Sequence, residues 1–188
     1  MDQNPFVGSL GADLRALRKA RGLTLADLAA ALDRSVGWMS QVERDMSAPS
    51  INDLRAIAQC LDVPVSMLFG QPAGPAHEVG FVVRKTARRP LGSGDAGLIE
   101  ELLSPDFTDD FEVVHSTFEA GAELAEPVSR PTQELGYLLS GRLDIEIDGR
   151  WHQIETGDSF RIKGHPFRWS NPYPDPAVAL WVIAPPVY

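Results

Sequence analysis

The chain is short of cysteine, of histidine and of positive charge, and each shortage removes a class of function. Its single cysteine, Cys60, has no partner for an internal disulfide. Its place in a helical apolar pattern marks it as a small buried hydrophobe. The four histidines are scattered along the sequence and read as surface or structural groups. A net charge of -9 argues against a protein that coats nucleic acid, since such proteins are basic. No run of about eighteen apolar residues exists to span a membrane. The opening "MDQNPFVGSLGADLRALRKARG" has no basic start, apolar run and cleavage site in sequence, so no secretory signal is read and the expected place is the cytoplasm.

What is present is the composition of a soluble globular protein, 44% hydrophobic and 23% charged, long enough for two small domains. Charge divides it. Residues 1 to 70 carry seven Lys/Arg against eight Asp/Glu, a net of -1, and residues 71 to 188 carry ten against eighteen, a net of -8.

From Leu10 to Phe69 apolar residues recur at helical spacing, among them Leu14 and Leu17, Leu25 and Leu28, Met39 and Val42, and Leu54, Ile57 and Leu61. Thr24 with Asp27, and Ser50 with Asp53, have the spacing of helix-opening capping boxes. "GQPAGPAHE" then suits an extended linker over residues 71 to 78. Beyond it the period shortens. Strands are expected over Val79 to Lys85, Phe111 to Phe118, Leu135 to Leu139, Leu143 to Ile147, Phe160 to Ile162 and Ala177 to Ile183, with Asp148-Gly149 as a hairpin turn. Many short strands with almost no helix indicate a sandwich or barrel.

In "TLADLAAALDRSVGWMSQVER" a helix from Thr24 to Leu32 must turn within a few residues and restart at Ser35. This is the helix-turn-helix arrangement, whose second helix enters the DNA major groove. Together with "LRALRKARGLTLADLAAAL", "SQVERDMSAPS" and "LRAIAQCLDVP", it resembles the phage-repressor-like (Xre) helix-turn-helix family over residues 9 to 69. That resemblance implies a five-helix all-α domain. Asp33 and Asp45 stand where the family prefers glycine, and aspartate tolerates the left-handed conformation better than most residues. Helical geometry puts Met39 and Val42 in the core and leaves Val36, Gly37, Trp38, Ser40 and Gln41 toward the exposed side. Gln41 has the groups for a bidentate adenine contact, and Trp38 for packing on sugar or a thymine methyl. Ser35 is the expected N-cap, at a helix end suited to a phosphate. Arg15, Arg18, Lys19, Arg34 and Arg44 are the candidate phosphate contacts.

Residues 79 to 188 resemble the cupin family, an all-β barrel, through Gly121, Glu134, Gly141, Gly157-Asp158 and Asn171. The resemblance implies a metal held by two histidines and a glutamate of one motif and a histidine of a second. Here those histidine positions are Pro127 and Ser129, or Val128 and Arg130, and then Phe167; only Glu134 remains. No metal and no other cofactor is therefore expected, the alternative being a site rebuilt from His165, His115 and His152. An effector pocket is expected from Phe118, Arg130, Glu134, Tyr137, Phe160, Phe167, Trp169 and Trp181. An aromatic wall around a carboxylate suits a cationic or amine-bearing molecule. The competing readings are an anion held by Arg130 or Arg168, or aromatics that merely fill the barrel while Glu134 is satisfied internally.

The pairing of the two domains resembles bacterial transcription regulators that join an Xre-type reader to a cupin sensor. That resemblance implies a non-enzymatic, sequence-specific regulator, dimeric through its cupin domains, that binds a two-fold symmetric double-stranded operator and a small-molecule effector, expected to be amine- or amino-acid-like. Two alternatives stay open. One is a constitutive DNA binder whose barrel only dimerises; the other is a metal-dependent enzyme, because an iron-dependent epoxidase family shares the domain pairing.

Overall fold

The computed structural model describes residues 9–63, 65–68, 75, 77–78, 80–91, 97–105, 107 and 109–187. The chain divides into two compact units. One is built from the chain up to Arg89 together with Ser104–Asp109, the other from Pro90–Leu103 and Asp110–Val187. Most of the expected linker, residues 71–74 and 76, lies outside the described residues.

In the first unit, α1 (Leu10–Ala20) opens at Ser9, whose hydroxyl oxygen accepts the Ala12 N–H at 3.2 Å. The next helices, α2 (Leu25–Ala31) and α4 (Ile51–Leu61), open with complete capping boxes at Thr24/Asp27 and Ser50/Asp53, and between them lies α3 (Val36–Val42). Each box satisfies two backbone donors that a helix start leaves orphaned. Leu14, Leu17, Leu28, Met39, Ile57 and Leu61 are all 1% exposed or less and form the core. Among the described residues four helices, not the five expected, run beyond a single turn. Asp62 ends α4 at φ 54, and only a single helical turn, Val65–Leu68, follows.

The strand expected over Val79 to Lys85 does not form. Residue 79 lies outside the described set; Gly80 and Phe81 turn, Arg84 pairs with Glu78, and Lys85–Ala87 is a turn of 3-10 helix. An ion pair across six residues curls a segment that extended pairing would have kept straight.

The β unit is built from β1 (Arg89–Leu91), β2 (Leu98–Leu102), β3 (Glu112–Phe118), β4 (Gln133–Ser140), β5 (Arg142–Ile147), β6 (Arg150–Glu155), β7 (Ser159–Lys163), β8 (Phe167–Ser170) and β9 (Ala177–Ala184). They form a six-stranded sheet, β1-β2-β3-β9-β4-β7, and a three-stranded sheet, β6-β5-β8. The expected cupin barrel, a double-stranded β-helix, is thus an unclosed one of two facing sheets among the described residues. Side chains between them, rather than a continuous hydrogen-bonded seam, hold the layers together: Phe118 meets Trp169 edge-on at 4.7 Å, and Phe167 approaches Trp181 at 6.1 Å. Asp148 at φ 51 and Gly149 at φ 75 make the expected hairpin turn.

Alternation decides which side chains enter the sandwich. Register places Glu112, Ile183 and Glu134 in one row across β3, β9 and β4. The next row contains Val114, Trp181 and Gly136, and there Phe160 of β7 lies flat on the glycine: a Cβ on Gly136 would sit 2.0 Å from the ring. The opposite face of the same strands carries Leu135, Tyr137, Leu139 and Val182, which are 38–49% exposed.

Candidate functional site

The helical unit presents α3 by its first turn. Between α2 and α3 the chain reverses through Asp33 at φ 52, and the Ser35 hydroxyl oxygen accepts the Trp38 N–H at 3.1 Å. Asp45, at φ 56, has the left-handed backbone expected of it. It also does work the sequence did not reveal: its carboxylate accepts the Gly11 N–H at 2.9 Å, where α1 runs so close to the end of α3 that a Cβ on Gly11 would lie 2.6 Å from the Val42 carbonyl oxygen.

Met39 and Val42 are buried, while Val36, Gly37 and Gln41 are exposed and Trp38 and Ser40 half-buried along the same helix. The Arg34 guanidinium stands 5.1 Å from the Trp38 ring and 2.7 Å from Asp53, so the turn and the helix start form one braced surface. Hydrogen bonds, first from Ser50 and then from Arg34, hold the Asp53 carboxyl below its ordinary range. Arg44 is exposed and donates to the Ser40 carbonyl at 3.0 Å, and Arg15 and Lys19 are exposed on α1. Arg18 departs from this group. It is 8% exposed, with its guanidinium 2.6 and 3.0 Å from the two Glu43 oxygens and 2.7 Å from the Leu23 carbonyl. Its donors point inward to α3 and the α1–α2 turn, not outward to a phosphate.

Between the two sheets lies a partly open pocket with a cavity volume of about 60 Å³. Six of the eight expected residues line it: Phe118, Arg130, Glu134, Phe167, Trp169 and Trp181. The other two do not. Tyr137 is one residue out of phase with Glu134 on β4 and faces the outer side, 44% exposed. Phe160 is buried against Gly136 and Trp181. Leu98, Glu100, Leu124 and Ile183 complete the lining and were not read from the sequence.

Glu134 is 1% exposed; the Thr132 hydroxyl donates to its Oε1 at 2.7 Å, and its Oε2 has no hydrogen-bond partner. A buried carboxylate oxygen left without a donor is costly, and an arriving N–H group relieves that cost. Burial pushes the Glu100 carboxyl up, against a hydrogen bond from Ser116 at 3.3 Å. Burial also pushes Glu112, 2% exposed, up to about 7, with the charges of Glu100 and Glu134 adding to it. An acid whose folded value lies above its unfolded one stabilises the fold fully below the unfolded value, and that contribution is lost as pH rises through the folded one. Stability should therefore fall by roughly 1 kcal/mol between about pH 6 and pH 8. Glu112→Gln should flatten that slope in thermal melts, and an unchanged slope would refute the assignment to Glu112.

Among the described residues the pocket lining offers two carboxylates, Glu100 and Glu134, and no histidine or cysteine, which is not the ligand set of the cupin pattern. Among the described residues no three histidine, cysteine, aspartate or glutamate side chains converge as ligands. At the histidine positions of the cupin pattern, Val128 pairs with Phe167 by backbone bridge, and Pro127, Ser129 and Arg130 are exposed. His115 stands on the outer face beside Glu101 at 3.8 Å; His165 and His152 are exposed elsewhere.

A helix-turn-helix unit followed by a cupin-like sandwich defines a two-domain class. Residues 9–68 match the helix-turn-helix domain family and residues 114–183 the cupin domain family. The chain is 28% identical over 154 residues to the HTH-type transcriptional regulator SutR of Escherichia coli (strain K12), covering 81% of each chain. It is 24% identical over 165 residues, 86% of each chain, to the HTH-type transcriptional regulator PuuR of the same organism. The structure of KdgF from Halomonas sp., 18% identical, matches 57% of this chain and 96% of its own with a TM-score of 0.50, a likeness of fold. The chain thus carries a helix-turn-helix domain and a cupin domain, and over most of its length it is similar to HTH-type transcriptional regulators. Among the described residues no helix is long and apolar enough to cross a membrane.

Proposed function

We propose that this regulator is a cytoplasmic, non-enzymatic, sequence-specific DNA-binding protein whose cupin domain senses a small amine-bearing molecule without a metal ion. The observation that carries the sensing half is the unpartnered Oε2 of Glu134 inside a pocket walled by Phe118, Phe167, Trp169 and Trp181. A carboxylate supplies charge, and aromatic faces supply cation–π attraction for an ammonium group. In this reading residues 1–70 read the operator, 79–188 bind effector and pair the chains, and 71–78 join them. Gln41 and Trp38 meet base edges, with Ser35, Val36, Gly37 and Ser40 beside them. Arg15, Lys19, Arg34 and Arg44 meet phosphates, while Arg18 braces the fold.

Dimerisation supplies what a weakly charged reader lacks, a second half-site. The outer face of β3, β9 and β4 fits a second copy of this chain. Register sets Val113, Val182 and Leu135 in one row and His115, Leu180 and Tyr137 in the next, with Glu101 and Arg161 only at opposite edges. A face with no charge at its centre can meet its own copy about a two-fold axis without like-charge conflict, and an axis along the strands sets Glu101 against Arg161. Tyr137→Asp with Leu135→Lys should weaken self-association at least tenfold in sedimentation velocity; an unaltered dimer would move the interface elsewhere.

The test of the whole reading uses the full-length chain with operator fragments selected from a random DNA pool. Thermal shift is read with amines, amino acids, carboxylates, sugars, divalent metals and EDTA, followed by DNA binding with each hit. An amine that stabilises the fold and alters operator affinity supports the reading. A response to metals or EDTA would overturn its metal-free half. Operator binding that no metabolite changes would leave a constitutive binder with a dimerisation barrel.

A further inference from the structure

The pocket holds both signs of charge, and an amine uses only one of them. Glu134 on β4 and Glu100 on β2 enter from the six-stranded sheet, whereas Arg130, which also lines the pocket, is exposed and belongs to the segment leading into β4. The Arg130 guanidinium lies 6.0 Å from the centre of the Phe167 ring. Its charge is felt inside, because it draws the Glu100 and Glu112 carboxyls down against the upward push of burial. Yet among the described residues Arg130 forms no ion pair and no hydrogen bond, unlike Arg18, Arg34, Arg84, Arg89 and Arg168.

An exposed guanidinium with no ion pair and a buried carboxylate oxygen with no partner line one aromatic pocket, which therefore offers two groups of opposite charge. Resting on the sensing reading above, we infer that the effector is amphoteric, with an ammonium group seated at Glu134 and a carboxylate that reaches Arg130: an amino acid rather than a simple amine. Guanidinium and carboxylate form paired, charge-assisted hydrogen bonds that a bare alkyl end cannot replace. Glu134 and Arg130 are a pair of opposite charges lining one pocket. The ligand complementary to that pair carries one charge of each sign. A ligand with positive charge alone leaves Arg130 to solvent and meets its repulsion.

Titration calorimetry on the full-length chain separates the two ideas. The probes are n-alkylamines of three to six carbons, α- and ω-amino acids of the same lengths, and the matching alkyl carboxylates. Proteins are wild type, Glu134→Gln and Arg130→Gln; Arg130 is exposed, so its loss spares the core. At least one amino acid should bind wild type about tenfold tighter than its matched amine. Arg130→Gln should erase that advantage by weakening the amino acid while the amine, relieved of repulsion, binds no more weakly than before, and Glu134→Gln should weaken both. Amines that bind as tightly as amino acids at every length, or an advantage that survives Arg130→Gln, would overturn the amphoteric effector and leave amine sensing intact. If carboxylates alone bind, or no probe binds, amine sensing itself fails and the inference goes with it.

Discussion

Arg18→Met should destabilise the helical unit by about 3–5 kcal/mol, the penalty for stranding one member of a buried ion pair. Both partners are enclosed, their side chains 10% and 5% exposed, and the pairing is two-pronged, at 2.6 and 3.0 Å. A third bond at 2.7 Å ties the same guanidinium to the Leu23 carbonyl. Glu43 holds the guanidinium above its ordinary value by accepting those bonds. Methionine fills the space of the arginine stem but leaves the Glu43 carboxylate buried without a cation. Arg18→Met with Glu43→Leu should recover most of the loss, since two apolar groups of similar volume remove the desolvation cost as well as the attraction. Urea unfolding followed by the helical circular-dichroism signal reads the effect. A loss under about 1 kcal/mol in the single variant, accompanied by weakened DNA binding, would return Arg18 to the phosphate contacts.

Arg18 also marks the limit of sequence reasoning. Its partner lies 25 residues away, and nothing local distinguishes it from Arg15 or Lys19, which stay exposed on the same helix. Features governed by neighbours were legible. Both capping boxes sit where their spacing put them, Met39 and Val42 are core, and Asp33 and Asp45 adopt the left-handed backbone. In the sandwich, apolar residues occupy both faces of β4, so alternation found the strand without saying which face was inside. Fixing Glu134 inward would have sent Tyr137 outward by parity alone. The second strand was harder. In "LIEEL" Ile99 is 47% exposed while Glu100 lines the pocket, the reverse of the pattern by which half-buried strands are found. A strand whose polar residue faces inward breaks the local rule for the same reason that it contributes to a site.

The second large effect belongs to Glu134, the other carboxylate that lines the pocket. Glu134→Gln should make the ligand-free protein no less stable, and binding of an ammonium ligand about 10–100-fold weaker, the worth of one charge-assisted hydrogen bond. The two signs belong together. A carboxylate that is 1% exposed, with one oxygen bonded to Thr132 and the other to nothing, is held at a cost to the fold. An amide of the same shape keeps the Thr132 bond and removes the charge, so the fold loses nothing, but an ammonium group no longer finds its counter-charge. A purely structural glutamate predicts the opposite, a drop in ligand-free stability with no change in ligand response. Thermal melts of both proteins, with and without the hit ligand, distinguish these outcomes. At about a hundredfold above its dissociation constant the ligand stabilises wild type by about 2.7 kcal/mol. At the same concentration a 100-fold weaker complex yields about 0.4 kcal/mol, which is nearly flat. If Glu134→Gln kept the full ligand shift, the pocket's chemistry would have to be sought at Glu100 and Arg130 instead.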